Sequence, residues 1–424
     1  MSVTATATRP ASQGTSIAII GALFFIFGFV TWLNGPLITF VKYRFTLSDI
    51  GAFLVLTVFY LSYFFLALPA ASILKRTGMK KGMSLGLLVM ALGAFTFGEF
   101  VLRGSYPGAL TGLFVIGAGL ALLQTAANPY ISIVGPIERA AQRIAVMGIC
   151  NKVAGSLAPY AFAIVVLAGI DAFDAKLAAA DPVAREALLT EFAAKVHGPY
   201  LVMAGVLAVL AVLLLLSPLP DIRPEEANAA PASHGDKSLL QFPHVWLGAL
   251  CIFVYVGVEV MAGDAIGTYG NALGLPPGDT RFFTMFTLLS MLAGYLAGLI
   301  LIPRFVSQER YLSFSAVLGV LLTIGAFLTK GYLSVGFVAA LGFANAMMWP
   351  AIFPLAIEGL GRLTERGSAL LIMGICGGAI IPQLFALLKQ HIHFQLVFLL
   401  LMVPCYLYIL YYALRGHRAG QAAG

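Results

Sequence analysis

Charge is scarce in this 424-residue chain: Lys, Arg, Asp and Glu make up 10% of it against 60% apolar residues, and the mean hydropathy is +0.95. A soluble domain carries about 25% charged residues, so a water-soluble fold is excluded and an all-α integral membrane protein is expected. Cysteine is almost missing. The four present, Cys150, Cys251, Cys376 and Cys405, all fall in apolar runs, which excludes a disulfide framework and metal-ligand spacing. The six histidines lie in loops or at the ends of apolar runs. With no nucleophile beside a base and no metal cluster at membrane depth, no enzyme and no cofactor are expected. Residues 1 to 16 lack the basic segment, short apolar core and cleavage site of a signal peptide, so the first apolar run is expected to stay.

What the chain does have is apolar runs of spanning length. Measured against the roughly 20 residues that cross a bilayer, spans are expected at 17–41, 48–74, 82–101, 108–134, 141–169 and 198–217, then at 244–270, 280–303, 310–330, 333–358, 367–389 and 393–414. Twelve helices result, six in each half. The expected units are 1–217, a polar, proline-bearing cytoplasmic linker at 218–243, and 244–424. Residues 171–197 have helix-forming composition, with Asp181 as a candidate N-cap before Pro182, and read as a short surface helix on the outside.

The halves share a sequence pattern. Met-Gly-Ile-Cys occurs at Met147–Cys150 and again at Met373–Cys376. Ahead of the first copy stand Asn128-Pro129, Gly135-Pro136, Arg139 and Arg143, with Pro159 after it; ahead of the second stand Trp349-Pro350, Gly359, Arg362 and Arg366, with Pro382 after it. Parallel repeats of this kind build one large class of transporters.

With the N-terminus inside, fifteen Lys and Arg fall in inside loops, including Lys75, Arg76, Lys80, Lys81 and Arg304, against nine outside. Basic residues are retained on the cytoplasmic side, so both termini are expected there. The net charge of +7 is accounted for by that retention, and no nucleic-acid partner is expected.

Polar residues at membrane depth are costly and usually serve a pathway or a site. In the fourth span Gln124 and Asn128 are four apart and share a face; in the tenth, its counterpart, Asn345, Trp349 and Phe353 form a similar stripe. Amides both donate to and accept from hydroxyls, and an indole stacks on a sugar ring, so the set reads as a sugar cradle or, alternatively, as helix-helix glue. The first span carries Thr31-Trp32-Leu33-Asn34-Gly35-Pro36, a helix-interrupting cluster that suits a cavity wall. Asn151 and Lys152 form another polar pair. The seventh span holds two acids, Glu259 and Asp264, five apart and therefore about 140° apart on a regular helix. They are candidates for a cation, a proton or sugar hydroxyls, unless Glu259 simply pairs with Lys152.

These residues resemble a known family. Leu123-Gln124-Thr125-Ala126-Ala127-Asn128-Pro129-Tyr130, Val134-Gly135-Pro136, Leu33-Asn34 and Tyr255-Val256-Gly257 look like the fucose permease family of the major facilitator superfamily; Trp32-Leu33-Asn34-Gly35 and Met147-Gly148-Ile149-Cys150-Asn151-Lys152 look like its bacterial glucose/galactose branch. The resemblance implies a twelve-helix sugar importer of the bacterial inner membrane, driven by a cation gradient through alternating access. Expected sugar contacts are Asn34, Gln124, Asn128, Asn151, Glu259, Asn345 and Trp349, with Glu259 and Asp264 for a sodium ion or proton as co-substrate. The chain departs from the pattern where fucose permease has acids, here Gly35 and Gln124. That disfavours its proton route and favours sodium. A neutral hexose such as glucose or galactose is the expected substrate; the alternatives are an N-acetylglucosamine or fucose symporter and an uncoupled facilitator. A monomer is expected.

Overall fold

The structure, a computed structural model, describes residues 13–133, 140–221, 238–302, 304–360 and 363–420. Residues 134–139, most of the linker (222–237), Pro303 and Arg362 lie outside the described residues, and with them Val134, Gly135, Pro136 and Arg139 of the repeat. Among the described residues there is no strand. Twelve helices among the described residues are long and apolar enough to cross a membrane: Gly14–Arg44, Asp49–Thr77, Met79–Leu102, Tyr106–Ile131, Arg143–Val165, Pro182–Leu216, Pro243–Gly263, Pro277–Leu301, Gln308–Leu328, Gly331–Ile357, Arg366–Leu388 and Phe394–Leu414. Their outer faces present bare apolar side chains, Leu216 at 76% and Leu328 at 73% exposure among them. Water would not tolerate so much uncovered surface; lipid does.

The surface helix expected at 171–197 is corrected. A short helix covers Ile170–Ala179, and a second begins at Pro182 and runs without interruption to Leu216. Asp181 caps it as expected, accepting from the N–H groups of Val183 and Ala184 at 3.0 and 2.8 Å. Residues 182–197 are therefore the first half of the sixth span.

The sequence repeat reappears as a packing repeat. In the first six spans the third packs on the fourth and sixth, the second on the fourth and the first on the fifth; the ninth packs on the tenth and twelfth, the eighth on the tenth and the seventh on the eleventh. Each second pattern is the first advanced by six. Between the two bundles the fifth meets the eighth and the second meets the eleventh, a pair that the same advance interchanges.

Close crossings within the bundles need residues without side chains. A Cβ on Gly28 of the first span would lie 2.1 Å from the Asn151 carbonyl oxygen of the fifth, and one on Gly377 of the eleventh would lie 1.8 Å from the Phe253 carbonyl oxygen of the seventh. Both contacts follow directly on a Met-Gly-Ile-Cys copy. Gly377→Ala is a clear case of opposed effects: helix propensity favours alanine by about 1 kcal/mol, while overpacking a tight contact costs about 1–3 kcal/mol. With a backbone oxygen at that distance the clash prevails. The purified variant is expected to melt several degrees below the parent, and an unchanged or higher melting temperature would refute the crossing.

Candidate functional site

Among the described residues, regular helix is lost along the first, seventh, tenth and eleventh spans. The first stops at Thr31 and restarts at Asn34; its counterpart, the seventh, stops at Gly263 and restarts at Ile266. There Ala265 N–H reaches back five residues to the Val260 carbonyl, a widened turn of the kind found at functional sites. The tenth breaks between Asn345 and Met348, and the eleventh tightens to a 3-10 turn at Gly374–Cys376, the second tetrapeptide copy. The first and seventh breaks touch. A Cβ on Gly35 would meet the Asp264 Cα at 3.2 Å, and one on Gly263 would meet the Trp32 ring at 2.6 Å.

Between the bundles lies a cavity of about 100 Å³, room for several waters or part of a compact polar ligand. One wall carries Gln124, Asn128, Asn151 and Lys152 from the first bundle; the other carries Tyr255, Glu259, Tyr295 and Trp349 from the second. Gln124 Nε2 donates to the Tyr63 hydroxyl at 2.8 Å, and Asn128 Nδ2 donates to the Gln124 carbonyl at 3.1 Å. Trp32 Nε1 donates to Asn151 Oδ1 at 3.3 Å. Trp349 stacks on Phe353, ring centroids 5.6 Å apart and planes at 24°. Across the gap, Lys152 Nζ stands 3.0 Å from Glu259 Oε1 and 4.2 Å above the Trp32 ring centroid. The ion pair read as one alternative from sequence is present.

Of the expected site residues, Gln124, Asn128, Asn151, Glu259 and Trp349 share the cavity; Asn34, Asn345 and Asp264 do not line it. Asn345 is fully buried, and its Oδ1 accepts from the Tyr406 hydroxyl at 2.8 Å. The stripe Asn345, Trp349, Phe353 assumed an unbroken helix; the break at Ala346-Met347 turns Asn345 out of register. Asn34, directly after the first-span break, is also buried, its Nδ2 without a partner. Asp264 is 1% exposed; Oδ2 accepts from the Tyr60 hydroxyl at 3.2 Å, and the Gly35 backbone N–H, at the restart of the first span, also approaches the carboxylate, though Oδ1 makes no hydrogen bond of regular geometry. The aromatic lining of Phe24, Phe27, Tyr60, Tyr63, Tyr255 and Tyr295 was missed. The spacing of Tyr60 and Tyr63, one helical turn apart, and of Tyr255 and Glu259 could have placed those three tyrosines on the polar faces.

The sequence pattern of the Major Facilitator Superfamily matches residues 20–382. The chain belongs to that superfamily, within its fucose permease family. Its relatives include a glucose/galactose transporter of Brucella abortus, 32% identical over 418 residues and 97% of each chain, and the L-fucose-proton symporter of Escherichia coli, 28% identical over 386 residues covering 88% of this chain and 86% of that one. The crystal structure of the superfamily transporter FucP in the outward conformation superposes with a TM-score of 0.77 at 25% identity, covering 96% of this chain and 99% of the other. These relatives are transporters, not enzymes.

On the face away from the chain ends Asp49 pairs with Lys42 and, across the bundles, with Lys389; Gly278 N–H donates to Asp171 Oδ1 at 2.9 Å, and Arg281 Nη1 donates to the Leu167 carbonyl at 2.5 Å. The cavity instead extends along Phe24, Ile144, Tyr295 and Trp349, which lie in the halves of their spans nearer the chain ends.

Proposed function

We propose that this protein imports a neutral hexose such as glucose or galactose by alternating access, coupled to a cation, sodium in preference to a proton. The observation that carries the sugar reading is the facing of three amides, Gln124, Asn128 and Asn151, against the Trp349 plane across one cavity. Hydroxyls take the amides, and the apolar face of a pyranose takes the indole. The names of the relatives point the same way. The cation reading rests on Asp264, a buried carboxylate where two broken helices meet, with one oxygen short of a regular hydrogen bond, the arrangement in which unwound backbone and helix ends coordinate ions in transporters. Glu259 is already held by Lys152, so the coupling role narrows to Asp264. Sodium is favoured because Gly35 and Gln124 cannot titrate; the L-fucose-proton symporter among the relatives makes the proton the second reading. The proposal includes the bacterial inner membrane with both termini cytoplasmic, on the strength of the basic loops, and the units 1–217, 218–243 and 244–424.

Uptake of radiolabelled glucose, galactose and N-acetylglucosamine into proteoliposomes under a sodium gradient, a proton gradient or neither tests this. Concentrative hexose uptake only with sodium is expected; equal uptake in all three, halting at equilibration, would leave an uncoupled facilitator. Trp349→Ala should raise the KM for hexose about 10-fold, the loss of aromatic stacking at about 0.5–1.5 kcal/mol, with little change in maximal rate. An unchanged KM would remove Trp349 from the sugar site.

A further inference from the structure

The Lys152–Glu259 pair is unusual for where it sits. Lys152 belongs to the fifth span and Glu259 to the seventh, so the pair bridges the two bundles that must separate and close during transport. Both side chains are largely withdrawn from solvent, at 7% and 12% exposure. The ammonium is held from two sides: the carboxylate oxygen at 3.0 Å and the Trp32 ring face at 4.2 Å. The ring is itself immobilised. Its Nε1 donates to Asn151 Oδ1, and it is wedged between Gly155 and Gly263, where added Cβ atoms would lie 2.5 and 2.6 Å from it. A carboxylate oxygen and a fixed aromatic face are what a bare monovalent cation would also be offered.

We propose that Lys152 is a resident cation: its ammonium fills the place at Glu259 that a free sodium ion would take, so that Glu259 becomes an ion site only when the ammonium is removed. One tethered charge then neutralises Glu259 in every cycle and leaves Asp264 as the position for a transported cation. That last clause rests on the cation-coupled reading; the occupancy of Glu259 does not.

The test is thermal melting of the purified protein in sodium chloride or choline chloride at equal ionic strength, for the parent, Lys152→Met, Lys152→Met/Glu259→Gln and Glu259→Gln. Lys152→Met leaves Glu259 without its cationic partner, the Tyr255 hydroxyl still bonded to it, and is expected to gain a sodium response, its melting temperature rising about 2 °C or more beyond any shift of the parent at roughly 100 mM sodium. The double variant should lose that gain. Glu259→Gln should keep whatever sodium shift the parent shows, since its carboxylate was not available to sodium. A Lys152→Met protein that tracks the parent, a double variant that keeps the gain, or loss of the parent's sodium shift in Glu259→Gln would each overturn the inference. Failure of the cation-coupled reading looks different: a parent indifferent to sodium beside a Lys152→Met variant that responds.

Discussion

Asp264→Asn in proteoliposomes is expected to equilibrate hexose across the membrane but no longer to concentrate it. One charge moving through about 100 mV supplies about 2.3 kcal/mol, which converts to roughly 50-fold accumulation; without a coupling carboxylate the ratio should fall to about one. The substitution is chosen to spare the fold. Asparagine keeps the shape, and its carbonyl oxygen can still accept from the Tyr60 hydroxyl, the 3.2 Å contact Asp264 makes. It removes only the charge that a cation would meet at the touching breaks of the first and seventh spans. Because Asp264 lies outside the cavity lining, exchange of hexose at equal concentrations should continue at near the parent rate. Continued concentrative uptake by Asp264→Asn would end the assignment of coupling to this residue.

The second large effect concerns stability. Removing one member of a buried ion pair leaves the other charge uncompensated, at a cost of about 3–5 kcal/mol, whereas replacing both by neutral groups of similar size is often close to neutral. Measured in choline, Lys152→Met and Glu259→Gln should each melt well below the parent, and the double variant should recover most of the loss. The two single losses would then sum to far more than the double loss, the signature of direct interaction in a double-mutant cycle. Additive losses would mean that Lys152 and Glu259 do not depend on one another in the membrane, contrary to their 3.0 Å separation. Methionine, which keeps an unbranched stem of similar length, is preferred to alanine for this comparison because Lys152 is buried.

How far the site could be read in advance varied with the local regularity of each helix. Gln124 and Asn128 lie on an uninterrupted helix from Tyr106 to Ile133, so a spacing of four put them on one face, and both line the cavity. Trp349 and Phe353 follow the tenth-span break and keep their shared face; Asn345 precedes it and does not. The seventh-span acids, about 140° apart on a regular helix, do have separate surroundings, Glu259 at the cavity and Asp264 behind it. The glycines at 257, 263, 267 and 270 permit unwinding, but do not say that it begins at Asp264. Composition and length could not reveal that 182–197 would join the sixth span, because a helix with an N-cap and a following apolar run reads equally well as one element or two.

Class, span number and duplication were decided by the sequence alone, since the length of an apolar run, the placement of Lys and Arg and the recurrence of Met-Gly-Ile-Cys are local properties that survive any arrangement of the helices. The site was not. Whether Lys152 meets Glu259, 107 positions away, whether Gly35 lies on Asp264, and which of seven polar candidates share one cavity depend on how each helix is rotated about its axis and where it breaks. Those are settled by close backbone crossings such as Gly28 on Asn151 and Gly377 on Phe253, contacts between spans that no single run of sequence contains.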